Sequence, residues 1–150
     1  MIKYAQEILN DVKAEALPLL LSHYEEIALN KDIIDFNPDW DLYQKYEDLG
    51  ILKIFTARDE DRLVGYFVVI ATPHLHYKDH IFAYNDIIYV NPQYRKGFTA
   101  WRLIKYAEKE IKDQGATIMI VNSKRHKPFD ILLERLGFSH IESIFSKRLV

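Results

Sequence analysis

The sequence predicts a mixed α/β fold of the α+β kind, a mostly antiparallel central sheet flanked by helices. Three observations carry this. Apolar residues keep a helical period over roughly the first fifty positions, then switch from Ile51 to the β-branched and aromatic pattern of strands. After three such strands, helix and strand alternate to the end, which suits a mixed sheet rather than a repetitive parallel one. The length of 150 residues suits one domain spanning 1–150, with a helical region at 1–50 and the sheet at 51–150.

Each element has its own signal. Residues 4–29 read as helix, with Ile8, Val12, Leu19, Leu20, Tyr24 and Ile27 at helical spacing and Pro18 as a break or a new first turn. Asn37-Pro38-Asp39 reads as the start of a second helix carrying Trp40, Tyr43 and Tyr46, closed by Leu49-Gly50. Residues 51–57 and 63–71 form a hairpin across the charged turn 58–61, Pro73 to Asp79 a loop, and 80–90 a third strand ended by Asn91-Pro92. A helix runs from Thr99 to Gln114 with Leu103, Ile104, Ala107 and Ile111 on one face, and Gly115 stops it. Residues 116–121, wholly apolar, read as a buried central strand. Pro128 opens a helix that ends at Gly137, and residues 139–149 can supply two last short strands.

The composition excludes several classes of function. There is no cysteine, so a disulfide framework, a Cys-ligated zinc site and a thiol nucleophile are all ruled out, and a reducing compartment is expected. The formal charge of −2 argues against a general nucleic-acid surface. The first residues lack a signal-peptide core and no apolar run suffices to span a bilayer, so a cytoplasmic protein without a membrane partner is expected.

The stretch from Tyr89 to Ala100 passes from a strand, through a basic loop with one glycine, into a helix. A helix start offers backbone N–H groups without internal partners and the positive end of the dipole. Arg95 and Lys96 add full charges, and Gly97 lets a ligand approach the backbone closely. A pyrophosphate suits such a loop, and so does an ordinary βα connection with solvated Arg and Lys. It is neither a Walker loop nor a dinucleotide fingerprint, since the required Gly-Lys-Ser/Thr and the further glycines are missing.

Val90-x-Pro92-x-x-Arg95-x-Gly97, taken with Leu63-Val64-Gly65-Tyr66 before it and Glu134-Arg135-Leu136-Gly137-Phe138 after it, resembles the GNAT family of N-acetyltransferases. The likeness covers about residues 51–149. His126-Lys127-Pro128-Phe129-Asp130 is similar to small members of that family carried by bacteriophages. The resemblance implies a splayed sheet and acetyl-CoA as cosubstrate, with no metal. It implies that the backbone of Ile88, Tyr89 and Val90 pairs with the pantetheine arm. It further implies that Arg95, Lys96, Gly97, Phe98, Thr99 and Ala100 hold the pyrophosphate and that Asn122 makes a polar contact. Residues 1–50 would then shape the acceptor side. The acceptor would be a small-molecule amine, a lysine or a protein N-terminus, attacking the thioester directly. Two departures from the family pattern stand out. Its first loop glycine falls at Phe98, and its usual tyrosine acid falls at Leu133.

Proton transfer needs a group near the acetyl site. Asp86 is the first candidate, because it interrupts an aromatic and aliphatic strand whose apolar surroundings would push a carboxyl upwards; a solvent-facing edge residue is the plain alternative. Tyr84, two residues earlier, could order a water or a substrate, or serve as a core aromatic. His74, His76 and His80 read as loop histidines rather than metal ligands. The basic run 123–127 could meet the ribose phosphate or be a solvated loop. Two rival functions remain: a CoA-binding module with weak catalysis, supported by Leu133, and a partner-protein or nucleic-acid adaptor using that run. A homodimer through the terminal strands or the aromatic N-terminal helices is a further expectation.

Overall fold

The computed structural model describes residues 1–150. Its elements are β1 (Ile2–Glu7), α1 (Leu9–Ile27), α2 (Trp40–Asp48), β2 (Leu52–Asp59), β3 (Arg62–His74), β4 (Tyr77–Val90), α3 (Thr99–Asp113), β5 (Ala116–Ile120) and α4 (Asp130–Arg135), with a 3-10 turn at Pro92–Tyr94. The five strands lie in sequence order; β1 to β4 are antiparallel neighbours and β5 joins β4 in parallel. This is the mixed, mostly antiparallel sheet the sequence predicts.

Two apolar layers sandwich the sheet. On one face α3 and α4 bury Leu103, Ile104, Ala107, Ile111, Leu133 and Leu136 against Phe55, Val64, Phe67 and Val69. On the other, α1 and α2 pack over Leu52, Ile54, Tyr66, Val68 and Tyr89. Alternation along β3 feeds both layers, since successive strand side chains point to opposite faces.

Several expectations are corrected. The N-terminal helix starts at Leu9, because Ile2 to Glu7 forms a strand paired with β2 from Ile2↔Asp59 to Glu7↔Ile54. Ile2 and Tyr4 pack against the core with period two, a signal too short to stand out beside the helical run that follows. Pro18 sits inside α1 on an exposed side and does not end it. The expected loop at Pro73 to Asp79 is mostly strand: β3 continues to His74 and β4 begins at Tyr77, leaving a turn of Leu75 and His76. There His74 stacks on Tyr77 and packs 4.4 Å from Phe82, ring centre to ring centre, so aromatic contact extends the hairpin past Pro73.

β5 is not central. It is an edge strand, with Ile118 42% exposed. Residues 138–150 form no strand; Ile141, Ile144, Phe145 and Leu149 are all exposed, and Arg148 reaches Asp32 at 3.0 Å. A β-prone pattern marks a segment able to pair, but pairing needs a free partner edge in the right place. The last helix opens at Asp130 rather than Pro128, where Ser123 Oγ accepts the Phe129 N–H at 2.9 Å and so holds the entry.

Candidate functional site

The site is built where β4 and β5 part. Their pairing runs from Ile81↔Ala116 to Tyr84↔Ile120 and stops. Beyond it, Asn85 turns its side-chain oxygen to the backbone N–H of Asn122 at 2.7 Å, bracing the strands at the point of divergence. β4 continues to Val90, still paired with β3 as far as Gly65↔Val90, so Ile88, Tyr89 and Val90 keep a sheet edge with no strand on the β5 side. Gly65 permits the close packing on the β3 side; a Cβ there would meet the Tyr89 carbonyl at 3.1 Å and Val90 Cγ2 at 3.2 Å.

The register between β3 and β4 also slips here. Val68 faces Ile87 and Val69 faces Asn85, which leaves Asp86 as the extra residue of a β-bulge. Asp86 is exposed, and its carboxylate accepts the Tyr43 hydroxyl at 2.6 Å. Asp86 is therefore open to solvent rather than enclosed by the strand's apolar residues. Burial, and then the bond to Asp86, hold the Tyr43 phenol above its ordinary range. Tyr84 closes the paired part of β4, 37% exposed, its ring stacked along Phe82.

Next comes the basic loop. After the 3-10 turn, Gly97 takes φ +107°, a conformation side chains disfavour, and α3 begins at Thr99. No side chain caps this helix start, and the first helical bond is Arg102 N–H to Phe98 O, so the N–H groups of Thr99, Ala100 and Trp101 have no intrahelical partner. Lys96, Gly97 and Phe98 are exposed beside them.

Arg95 takes a different position from its neighbours. Its guanidinium grips Glu26 of α1 with both terminal nitrogens at 2.6 Å, its Nε donates to Val90 O at 2.8 Å, and it lies 5.1 Å over the Tyr89 ring. Arg95 thus ties the loop to α1 and to the end of β4. The pair raises the Arg95 pKa and lowers that of Glu26, mainly through the shared hydrogen bonds.

One turn before Glu26, His23 is buried, its Nδ1 2.9 Å from the Tyr66 hydroxyl and its ring stacked on Tyr89. Burial lowers its pKa to about 4, outweighing the pull of Glu26, so the imidazole is neutral near pH 7. Sequence reasoning found no role for His23. The available signal was its place on the buried stripe of α1, in helical step with Val12 and Ala16.

Between α1, the segment after it, α2 and the sheet lies a cavity of about 540 Å³. Trp40 and Tyr43, singled out from the sequence, line it, as do His23, Tyr66 and Ile87. The basic loop after β5 reaches its rim: Lys124 lines it and His126 Nε2 lies 3.0 Å from the Ile27 carbonyl oxygen. Asn122 is exposed at the end of β5, opposite the free edge of β4. Leu133, on α4, where the resemblance to the family places a tyrosine acid, is buried in the core. His80 hydrogen-bonds Thr117 on β5, away from the bulge.

This geometry meets its counterparts in known proteins. Residues 18–138 match the model of the acetyltransferase (GNAT) family. Among solved structures, a ribosomal-protein-alanine N-acetyltransferase from Brucella melitensis biovar Abortus 2308 is similar at 22% identity and a TM-score of 0.74, covering 100% of both chains. An aminoglycoside acetyltransferase from an uncultured soil metagenomic sample, solved with sisomicin, has 16% identity and a TM-score of 0.76, covering 99% of this chain and 97% of its own. A predicted acetyltransferase from Clostridium acetobutylicum, solved with acetyl-CoA, has 16% identity and a TM-score of 0.70, with coverage of 99% and 97%. No curated protein sequence matches this chain. No helix is long and apolar enough to cross a membrane. With a family model that matches residues 18–138, most of its length, the chain belongs to the GNAT acetyltransferases.

Proposed function

We propose that this chain transfers an acetyl group from acetyl-CoA to a primary amine by direct attack, with residues 51–150 forming the cofactor side and residues 1–50 the acceptor side. The observation that carries the reading is the free edge of β4 from Asn85 to Val90, running directly into an uncapped helix start with a left-handed glycine. Residues and ligand fit each other. An extended amide-bearing chain needs an open strand edge, and a pyrophosphate needs converging N–H groups.

In this reading the backbone of Ile88, Tyr89 and Val90 pairs with the pantetheine arm. The N–H groups of Gly97, Phe98, Thr99 and Ala100 hold the phosphates, with Lys96 beside them. Arg95 orders the loop through Glu26 and adds its field, and Asn122 makes a polar contact from β5. When bound, acetyl-CoA supplies a thioester carbonyl open to a nucleophile. Asp86 takes the proton that the amine must lose, with Tyr43 holding the carboxylate in place. The nitrogen forms the new N–C bond as the C–S bond breaks, and water supplies the proton for the departing sulfur. Tyr84, at the mouth of the parting, orders the acceptor or a water.

An amine acceptor is supported by two solved relatives, one named for aminoglycosides and one for a ribosomal-protein alanine. The lack of cysteine supports a cytoplasmic setting. A homodimer is supported by the open outer edge of β5 together with the exposed apolar side chains Ile141, Ile144, Phe145 and Leu149 of the strandless segment 138–150. Light scattering of the full chain, and of one ending at Phe138, tests it.

The central test is a thermal shift with acetyl-CoA, followed by thiol release over a panel of amines. No shift at high ligand concentration would sink the reading. One observation favours a second reading, a CoA-binding module with weak catalysis: the acid position is a buried leucine. A shift without turnover would select it.

A further inference from the structure

The cavity behind Asp86 carries an inference about the acceptor, which rests on the acetyl-transfer reading. We infer that the acceptor is a small primary amine on an aromatic or branched apolar body, held between α1, α2 and the sheet with its nitrogen towards Asp86.

Among the cavity's polar side chains, Lys13, Asp35, Asn37 and Lys124 are exposed, while five of the six that are buried or half-buried, all but Trp40, are already bonded within the protein. Tyr24 donates to Ile34 O at 2.6 Å, Tyr43 donates to Asp86, and Thr56 donates to Glu7. His23 and Tyr66 are bonded to each other. A sugar or other hydroxyl-rich acceptor would bury donors and acceptors against walls with few partners left to offer, which is costly.

Charge points the same way. The charged side chains on the wall, Lys13, Lys124 and Asp35, are all exposed. His23 is neutral near pH 7. With Asp86 at one end, two carboxylates only balance the two cations, too few for a polyamine or an aminoglycoside, whose several ammonium groups need several carboxylates. What remains is a surface of aromatic and aliphatic side chains, among them Leu20, Phe36, Trp40 and Ile87, in a volume that lies within the range of small-molecule sites.

One end of this space is different. Ile87 lines the cavity, and the residue before it is the bulge carboxylate Asp86, one hydrogen bond from the wall residue Tyr43. Tyr43 occupies one carboxylate oxygen and leaves the other to receive an ammonium. A single cationic head beside an apolar body matches that arrangement.

The experiment compares 2-phenylethylamine and 3-methylbutylamine with spermidine, glucosamine and a short peptide with a free N-terminal alanine, using the full chain, acetyl-CoA and thiol release. The expected result is a kcat/KM at least about tenfold higher for the two apolar amines, since each well-buried apolar group contributes about a factor of ten or more. Ala16→Leu, which fills part of the cavity, should raise KM for those amines while leaving the acetyl-CoA thermal shift in place; should it not fold, the wild-type ranking decides alone. Loss of the acetyl-CoA shift itself would overturn the acetyl-transfer reading. With the shift present, preference for spermidine or glucosamine overturns only the apolar acceptor, and preference for the peptide replaces it with a protein N-terminus. Binding of acetyl-CoA with turnover of none of these amines overturns it as well.

Discussion

Acidification should expose the buried imidazole of His23. In the folded chain its pKa lies at about 4, against 6.5 for the free side chain, with burial as the largest cause. Between these values the unfolded chain binds a proton that the native chain refuses, so acid favours unfolding. The stabilisation is fully present above the unfolded pKa and is lost as pH falls towards the folded one. Linkage between the two states gives a loss of about 2 kcal/mol between about pH 7 and about pH 4.5 from this one group. Glu7 and Glu26, whose pKa values are lowered by Arg58 and Arg95, begin to add their own loss at the acid end of that interval and lose the rest below it. Urea unfolding at several pH values, in wild type and in His23→Gln, measures it. Glutamine can still hydrogen-bond the Tyr66 hydroxyl but cannot titrate, so the variant's stability should stay nearly flat across the interval. An equal loss in both proteins would refute the assignment.

Arg95→Glu sets a carboxylate against Glu26 and should abolish the acetyl-CoA thermal shift. Adding Glu26→Arg should restore a part of it, because the loop is tied again; no recovery would mean that the guanidinium itself touches the phosphates. Asp86→Asn keeps a partner for Tyr43, so acetyl-CoA binding should hold while turnover falls by about 10² or more, as for loss of a general base. Gly65→Ala drives a Cβ against the Tyr89 carbonyl, a backbone atom that cannot swing aside, and should cost about 1–3 kcal/mol in urea unfolding.

Long periodic segments were legible in the sequence. The spacing of Leu103, Ile104, Ala107 and Ile111 fixed α3 to within a residue, and Asn37-Pro38-Asp39 marked α2, whose N-cap is Asp39 accepting from Leu42 N–H. Elements that depend on partners were not. Ile2 to Glu7 is a strand because β2 offers an edge, and residues 138–150 are not strands although their pattern allows it. The same holds at the site. The basic loop and Gly97 announce a helix start, and Asp86 interrupts its strand visibly. That Arg95 would turn inward to Glu26, sixty-nine positions away, has no local signature. Nor do the Tyr43–Asp86 bond or the Asn85 brace, which arise from the bulge and from the parting of two strands.

That parting also shapes how the molecule comes apart. β5 is fastened only from Ile81 to Tyr84 on one side and is open on the other, whereas β2 and β3 are bonded along both edges. β5 therefore opens more cheaply than the antiparallel body, and native-state amide exchange should separate the two into a lower and a higher tier. In the function proposed above, a ligand seated in the cleft bonds both sides of it. Protection in β5 should then rise to that of the strands beside it, and the enzyme becomes one cooperative unit only while its substrate is bound.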